Sequence, residues 1–332
     1  MSSHRDCAAR RRCRAIAAAV LLLGTCAAPR AHAQDYPSRT VKIIVPFPAG
    51  GTADVMPRVI ADWLSRHWQQ SVIVENRSGA GGNVGAEVVA KSAPDGYTLL
   101  SSPPPPLVIN QNLYPHLDFD PTQFVPIVVI GRVPNALVAN PNRIAANSVK
   151  DFIVYAQTHT GQVTDATQGN GTTSHLTSEM FQMMAHVKLQ NVPYRGSAPA
   201  LNDLVAGNVD VMFDNLGISM QLVKAGRLKL LGVASPTRVA SLPDVPTVAE
   251  TLPGFASVTW YAIVAPAKTP AAAVDTINTG VNEALHDATV QKRLADLSAT
   301  PVGGTPQSAA DYFRDEVARW KNVIQSAHVT LN

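Results

Sequence analysis

The chain has 332 residues, 46% hydrophobic and 15% charged, enough apolar material for one large or two ordinary domains; this excludes a disordered chain or a disulfide-stapled miniprotein. Its formal charge of +3, from 27 basic and 24 acidic residues, misleads, because Arg5, Arg10, Arg11, Arg12, Arg14 and Arg30 crowd the first 33 positions beside one acid, Asp6. Without that segment 21 basic and 23 acidic residues remain, a net charge of −2 that offers nucleic acid or anionic membrane no general attraction.

Arg10 to Arg14 form a basic n-region, Ala15 to Leu23 an apolar stretch too short to span ~30 Å of hydrocarbon, and Ala31-His32-Ala33 a small-x-small cleavage pattern. Residues 1–33 therefore read as a signal peptide cleaved after Ala33, which directs the protein to the periplasm. Cys7, Cys13 and Cys26 leave with it, so the mature chain is expected to lack disulfides, thiol nucleophiles and cysteine-ligated metals. No later run reaches the roughly 18 consecutive apolar residues of a membrane span.

Val41 to Val45 is a β-branched run of the kind that both faces of a sheet bury. Pro46 to Gly51 break it, and Val55, Val59, Ile60, Trp63 and Leu64 then recur at helical spacing. Val72 to Val74 is a second strand, Gly79 to Gly82 a turn, Val84 to Val89 a short helix, and Tyr97 to Leu100 a third strand. Strands alternating with helices predict a parallel α/β sheet with right-handed crossovers. Farther on, Asp151 to Thr158 and Ser174 to Ala185 read as helices, the latter with Leu176, Met180, Met183 and Met184 on its apolar side. Ser197 is expected to cap a helix that Gly207 ends. Val209 to Phe213, Leu228 to Ala234 and Ser257 to Val264 read as strands, Met220 to Ala225 as a helix, and Ala271 to Leu297 and Gln307 to Ala327 as two long closing helices. So many units exceed one small sheet. They suggest two lobes, residues 34–135 with 262–332 and residues 136–261, with crossings near Asn135 and Tyr261 as a hinge.

In open parallel sheets ligands bind beyond the carboxyl ends of the strands. Four segments occupy that place: Phe47-Pro48-Ala49-Gly50-Gly51-Thr52-Ala53-Asp54; Arg77 to Asn83, with Gly79, Ala80 and Gly81; Gly169-Asn170-Gly171-Thr172-Thr173-Ser174-His175; and Asp214-Asn215. Glycines let backbone amides approach a ligand, Thr52 can cap its helix, and helix starts favour anions. Nucleotide fingerprints fail, since Val84 and Ser174 stand where glycine is needed, and no Walker lysine, G-x-S-x-G or H-E-x-x-H occurs. His175 and Glu179 lie one helical turn apart but lack further candidate ligands for a metal, and no acid can be assigned to orient His175 as a base. No cofactor, metal or catalytic residue is therefore expected.

The stretches YPSRTVKIIVPFPAGGTADVMPRVIADWL, VIVENRSGAGGNVGAEVVAKSAPDGYTLL, GNGTTSHL, VPYRGSAPALNDLVAGNVDVMFDN and LPDVPTVAETLPGF, in that order, resemble the Bug family of extracytoplasmic solute receptors of tripartite tricarboxylate transporters. The likeness runs from Tyr36 to about Val329. It implies an α/β, type II periplasmic-binding-protein fold: a monomer of two lobes closing on a small carboxylate (a di- or tricarboxylate, acidic amino acid or aromatic acid) and delivering it to the transporter's membrane components. It further implies ligand contacts from the loops already named, with Tyr194-Arg195-Gly196 and the Ser102 wall, where Pro103 to Pro106 depart from the family's more varied turn. Arg195 and Arg77 are the full charges expected near the cleft. The same lobes could instead feed a two-component sensor, and an α/β secreted hydrolase is the remaining alternative.

Overall fold

The computed structural model describes residues 36–331, one compact unit; the stretch that reads as a signal peptide, with all three cysteines, lies outside the described residues. Ten strands form a mixed sheet: β1 (Val41–Val45), β2 (Val72–Asn76), β3 (Thr98–Ser102), β4 (Val125–Ala139), β5 (Thr164–Thr167), β6 (Gln190–Pro193), β7 (Val211–Asn215), β8 (Lys229–Val233), β9 (Val258–Ala265) and β10 (Thr300–Gly303). Their order is β2-β1-β3-β9-β4-β7-β5-β6, with β8 and β10 also paired to β4. β2-β1-β3 is parallel as predicted, and so is β7-β5-β6.

Between these parallel halves the expectation fails. β9 and β4 run antiparallel to their neighbours, and β4 joins the halves by pairing β9 through Val125 to Pro134 and β7 through Asn135 to Ala139. β4 is absent from the sequence reading because Pro126, Gly131 and Pro134 interrupt its apolar run; its register with β9 shifts around Pro126 and Gly131. β5, β6 and β10 are short and polar or proline-containing, so no alternation marks them.

Among the described residues, nine α-helices flank the sheet: α1 (Thr52–Trp68), α2 (Asn83–Ala90), α3 (Val149–Thr158), α4 (Thr173–Ala185), α5 (Ser197–Ala206), α6 (Leu216–Lys224), α7 (Ala271–His286), α8 (Ala288–Asp296) and α9 (Pro306–Ser326). α1 buries Met56, Val59, Ile60 and Leu64 against β1 and the Ile277 and Val281 face of α7. In the other half Phe152, Phe181, Phe213 and Phe255 pack together. Three local expectations need correction. The stretch Ala271 to Leu297 breaks at Asp287, whose carboxylate accepts from the amides of Thr289 and Val290 and so starts a new helix. On α4 Leu176 is buried and Met180 and Met184 pack against the core as expected, but Phe181 and Ala185 complete that face and Met183 is exposed. Neither Thr52 nor Ser197 is an N-cap; Gly51 and Gly196 precede their helices and each hydroxyl residue is the first helical position.

Where β4 passes from one half to the other, its Asn135 side chain is fully buried and fully used. Nδ2 donates to Thr177 Oγ1 and Ser257 Oγ, both at 2.9 Å; Oδ1 accepts from Asn215 Nδ2 at 2.9 Å and Thr259 Oγ1 at 3.1 Å. One amide thus ties together β4, α4, β7 and β9. Removing it leaves several buried groups without partners, so Asn135→Ala is expected to lose about 2–4 kcal/mol of stability in urea denaturation; a loss under about 0.5 kcal/mol would show that the linkage carries no weight.

Candidate functional site

Four helices begin on one narrow cleft. The first residues of α1, α4 and α5 (Thr52, Thr173 and Ser197) line it, with the residues before them (Gly51, Thr172 and Gly196), and so does Asn215, which precedes α6. A helix start carries up to four unpaired amides and about half a positive charge. Among the described residues, no ionisable side chain except the Tyr261 hydroxyl lines this cleft. The arrangement suits an anion held by oriented amides and hydroxyls, without a countercharge.

Local sequence explains how the chain reaches this geometry. Gly196 adopts φ +108°, and a Cβ there would stand 3.2 Å from Pro48 Cδ, so only glycine lets the α5 start approach the loop after β1. Thr172 Oγ1 donates to Gly169 O at 2.7 Å and accepts from the His175 amide, capping α4. Asp54, expected at the ligand, instead braces the first loop: its carboxylate accepts from the Gly50 amide at 3.1 Å, Arg58 Nε at 2.9 Å and Asn76 Nδ2 at 2.9 Å. Burial opposes its ionisation, but those bonds and the Arg58 charge outweigh it and hold the carboxyl below its ordinary pKa.

The floor is continuous with the Asn135 linkage. Thr173 Oγ1 meets Thr259 Oγ1 at 2.8 Å, and the Tyr261 hydroxyl donates to Asn215 Oδ1 at 2.9 Å. Gln168 Nε2 and Ser197 Oγ, both on the cleft wall, each donate to Asp214 Oδ1 at 2.8 Å. Thr52 Oγ1 is buried, lines the cleft and makes no hydrogen bond of good geometry within the protein, although the Tyr261 hydroxyl lies beside it. Phe47, Pro48, Ala49, Pro103 and Pro105 supply an apolar wall.

A wider depression of about 510 Å³ adjoins the cleft and shares Phe47, Pro48 and Gln168 with it. Gly79, Ala80, Gly81, Asn170, Tyr194 and Arg195 line it, and Arg195 is its only charged residue among those described. The Tyr194 hydroxyl is taken by Asp203 Oδ2 at 2.7 Å. Arg77 lines neither space and pairs with Glu75.

The expected residues thus divide. Phe47, Pro48, Ala49, Gly51, Thr52, Thr172, Thr173, Gly196 and Asn215 meet in the cleft; Gly79, Ala80, Gly81, Asn170, Tyr194 and Arg195 line the depression. Gly50, Asp54, Ser102, Ser174, His175 and Asp214 line neither space. The Ser102 hydroxyl turns back onto Pro103 O and that of Ser174 onto Phe213 O; His175 faces a separate hollow with Glu179 and His328. Sequence reasoning missed Gln168, Ser197, Thr259 and Tyr261. Gln168 directly precedes the glycine segment that was singled out, and Ser197 was assigned only a cap. Thr259 and Tyr261 sit inside a strand, where the sequence marks Tyr261 only as a lobe crossing and Thr259 not at all.

The chain matches a family model described as the tripartite tricarboxylate transporter family receptor over residues 56–329. It is 37% identical over 302 residues to the protein BugT of Bordetella pertussis, covering 90% of this chain and 92% of that one. Among solved structures it is similar to R. palustris Rpa4515 with adipate, at 38% identity and a TM-score of 0.87 over 89% of this chain and 99% of that one. MatC (Rpa3494) from Rhodopseudomonas palustris with bound malate superposes with a TM-score of 0.82 at 32% identity, covering 87% of this chain and 100% of that one.

His175 yields a test of the buried surroundings. Burial pushes its pKa down to about 4; Nδ1 accepts the Gly171 amide at 3.2 Å, and at neutral pH the ring beside Glu179 is uncharged. Below about pH 6.5 the unfolded chain takes a proton at this residue that the folded chain refuses, so its effect on stability is absent above that pH and grows unfavourable down to the folded pKa. Urea denaturation at pH 7.5 and 5 is therefore expected to show the native protein losing more stability on acidification than His175→Gln; equal losses would contradict the assignment.

Proposed function

Because the chain belongs to the tripartite tricarboxylate transporter receptor family, we propose that it captures a small carboxylate in the cleft where α1, α4, α5 and α6 begin and delivers it to the membrane components of such a transporter. One observation carries the reading: four helix N-termini converge on a cleft whose lining side chains carry no formal charge at neutral pH. Such a site compensates an anion with dipoles and hydroxyls. The similar proteins crystallised with adipate and malate make small aliphatic diacids the first compounds to try.

In this reading Thr52, Thr172, Thr173 and the amides beside them hold one carboxylate, Phe47 and the prolines pack against the ligand body, and Arg195 in the adjoining depression meets a second polar end. The segments before Asn135 and after Tyr261 belong to one lobe and the segment between them to the other. Closure about β4 and β9 is a population shift that the ligand drives by binding the closed form better. The protein acts by binding without turnover, as an exported monomer released from its leader after Ala33. Among the described residues, no helix is long and apolar enough to cross a membrane.

A thermal-shift screen of the mature protein against mono-, di- and tricarboxylates, amines and sugars tests the class. A carboxylate at 100 times its dissociation constant is expected to stabilise by about 2.7 kcal/mol, while stabilisation by amines or sugars alone would overturn the reading. With the selected acid, Thr52→Ala should weaken binding about tenfold by calorimetry, the loss of one charge-assisted hydrogen bond of about 1.5 kcal/mol; unchanged affinity would remove Thr52 from the site.

A further inference from the structure

The cleft's lining has no charge at neutral pH, but an acid lies directly behind it. Asp214, next to last in β7, is fully buried and is separated from the cleft by one layer of side chains. That layer is Gln168 and Ser197, whose donors both converge on Oδ1. Oδ2 has no hydrogen-bond partner; the Asn215 amide and the Ser219 hydroxyl of α6 lie alongside without meeting it in good geometry. No cation balances the carboxylate: none of the ion pairs among the described residues includes Asp214, and its ionisable neighbour is Tyr261 on β9, which burial keeps protonated. The other groups facing it (Gln168, Ser197, Ser219 and the Asn215 amide) do not titrate.

We propose that Asp214 is a proton-linked positioning residue: capture of an anionic ligand draws one proton from solvent onto Asp214. The inference rests on the carboxylate reading given above. An arriving carboxylate puts a second negative charge within a poorly solvated space, and two like charges there favour protonating the one that can accept a proton. Oδ2, which has no hydrogen-bond partner in the protein, takes the proton. Oδ1 keeps Gln168 and Ser197 in place, so the cleft wall holds its shape while its background charge goes from −1 to zero. Burial supports this, since it outweighs the hydrogen bonds from Ser197 and Gln168 and pushes the Asp214 carboxyl up to about 6 before any ligand arrives. A second negative charge moves it further up, toward neutral pH.

Calorimetric titration of the mature protein at pH 7 with succinate, adipate and benzoate, each in phosphate and in Tris buffer, counts the protons exchanged. An uptake of about 0.5–1 proton per bound acid is expected, with affinity rising severalfold between pH 8 and pH 6. Asp214→Asn keeps an acceptor for Gln168 and Ser197 and should bind with no uptake and a flat pH profile. Asp165→Asn, which removes another buried acid outside the cleft, should retain the uptake. Equal heats in the two buffers overturn the proposal even if Asp214→Asn fails to fold, as does uptake that persists in Asp214→Asn. If none of the three acids nor any other carboxylate binds, the carboxylate reading itself falls; binding without proton uptake removes only the role of Asp214.

Discussion

Everything at the cleft depends on one buried amide, Asn135, at the point where β4 leaves one parallel half-sheet and enters the other. Its side chain satisfies groups on α4, β7 and β9 at once, and the same residues then serve the cleft: Asn215 and Thr259 bond Asn135 and also line the site. A polar network buried this completely is costly if any member is lost, so it fixes a single arrangement of the strands that cross it. Structural and binding roles are therefore not separable here. The side chains that hold the halves in register also form the surface a ligand would meet.

The second constraint is electrostatic. A chain with few spare cations that captures an anion would have to stabilise it by other means, and starting α1, α4, α5 and α6 on one spot offers groups that the helices leave unpaired in any case. Amides set by the fold give up no side-chain rotamer freedom when the ligand arrives, whereas an exposed arginine such as Arg195 must give up rotamer freedom to bind. The charges nearest the cleft are put to structural use. Asp54 holds the first loop, and Asp214 holds Gln168 and Ser197 from behind.

Much of this was legible in the sequence. β1 to β3 and the turns after β1 and β2 followed from β-branched runs ended by proline and glycine, and Gly169 to His175 stood out because glycines lead into hydroxyls at a helix start. What escaped had physical reasons. β4 is broken by Pro126, Gly131 and Pro134, so the strand that organises both halves reads as irregular chain. Thr259 and Tyr261 acquire their roles only when β9 is laid beside β4, a pairing across more than a hundred residues. Asp54, Ser174, His175 and Asp214 were correctly placed near the cleft by their segments, but no spacing rule tells which way a side chain turns, and burial with local hydrogen bonds decided that.

The central claim, that oriented backbone and hydroxyl groups hold the anion, is tested most directly by a crystal structure of the protein with its selected carboxylate bound. The account predicts carboxylate oxygens about 2.7–3.1 Å from amides or hydroxyls at the starts of α1, α4 and α5, with no lysine or arginine touching that group. A carboxylate buried in this cleft against an arginine, or seated only in the outer depression on Arg195, would contradict it.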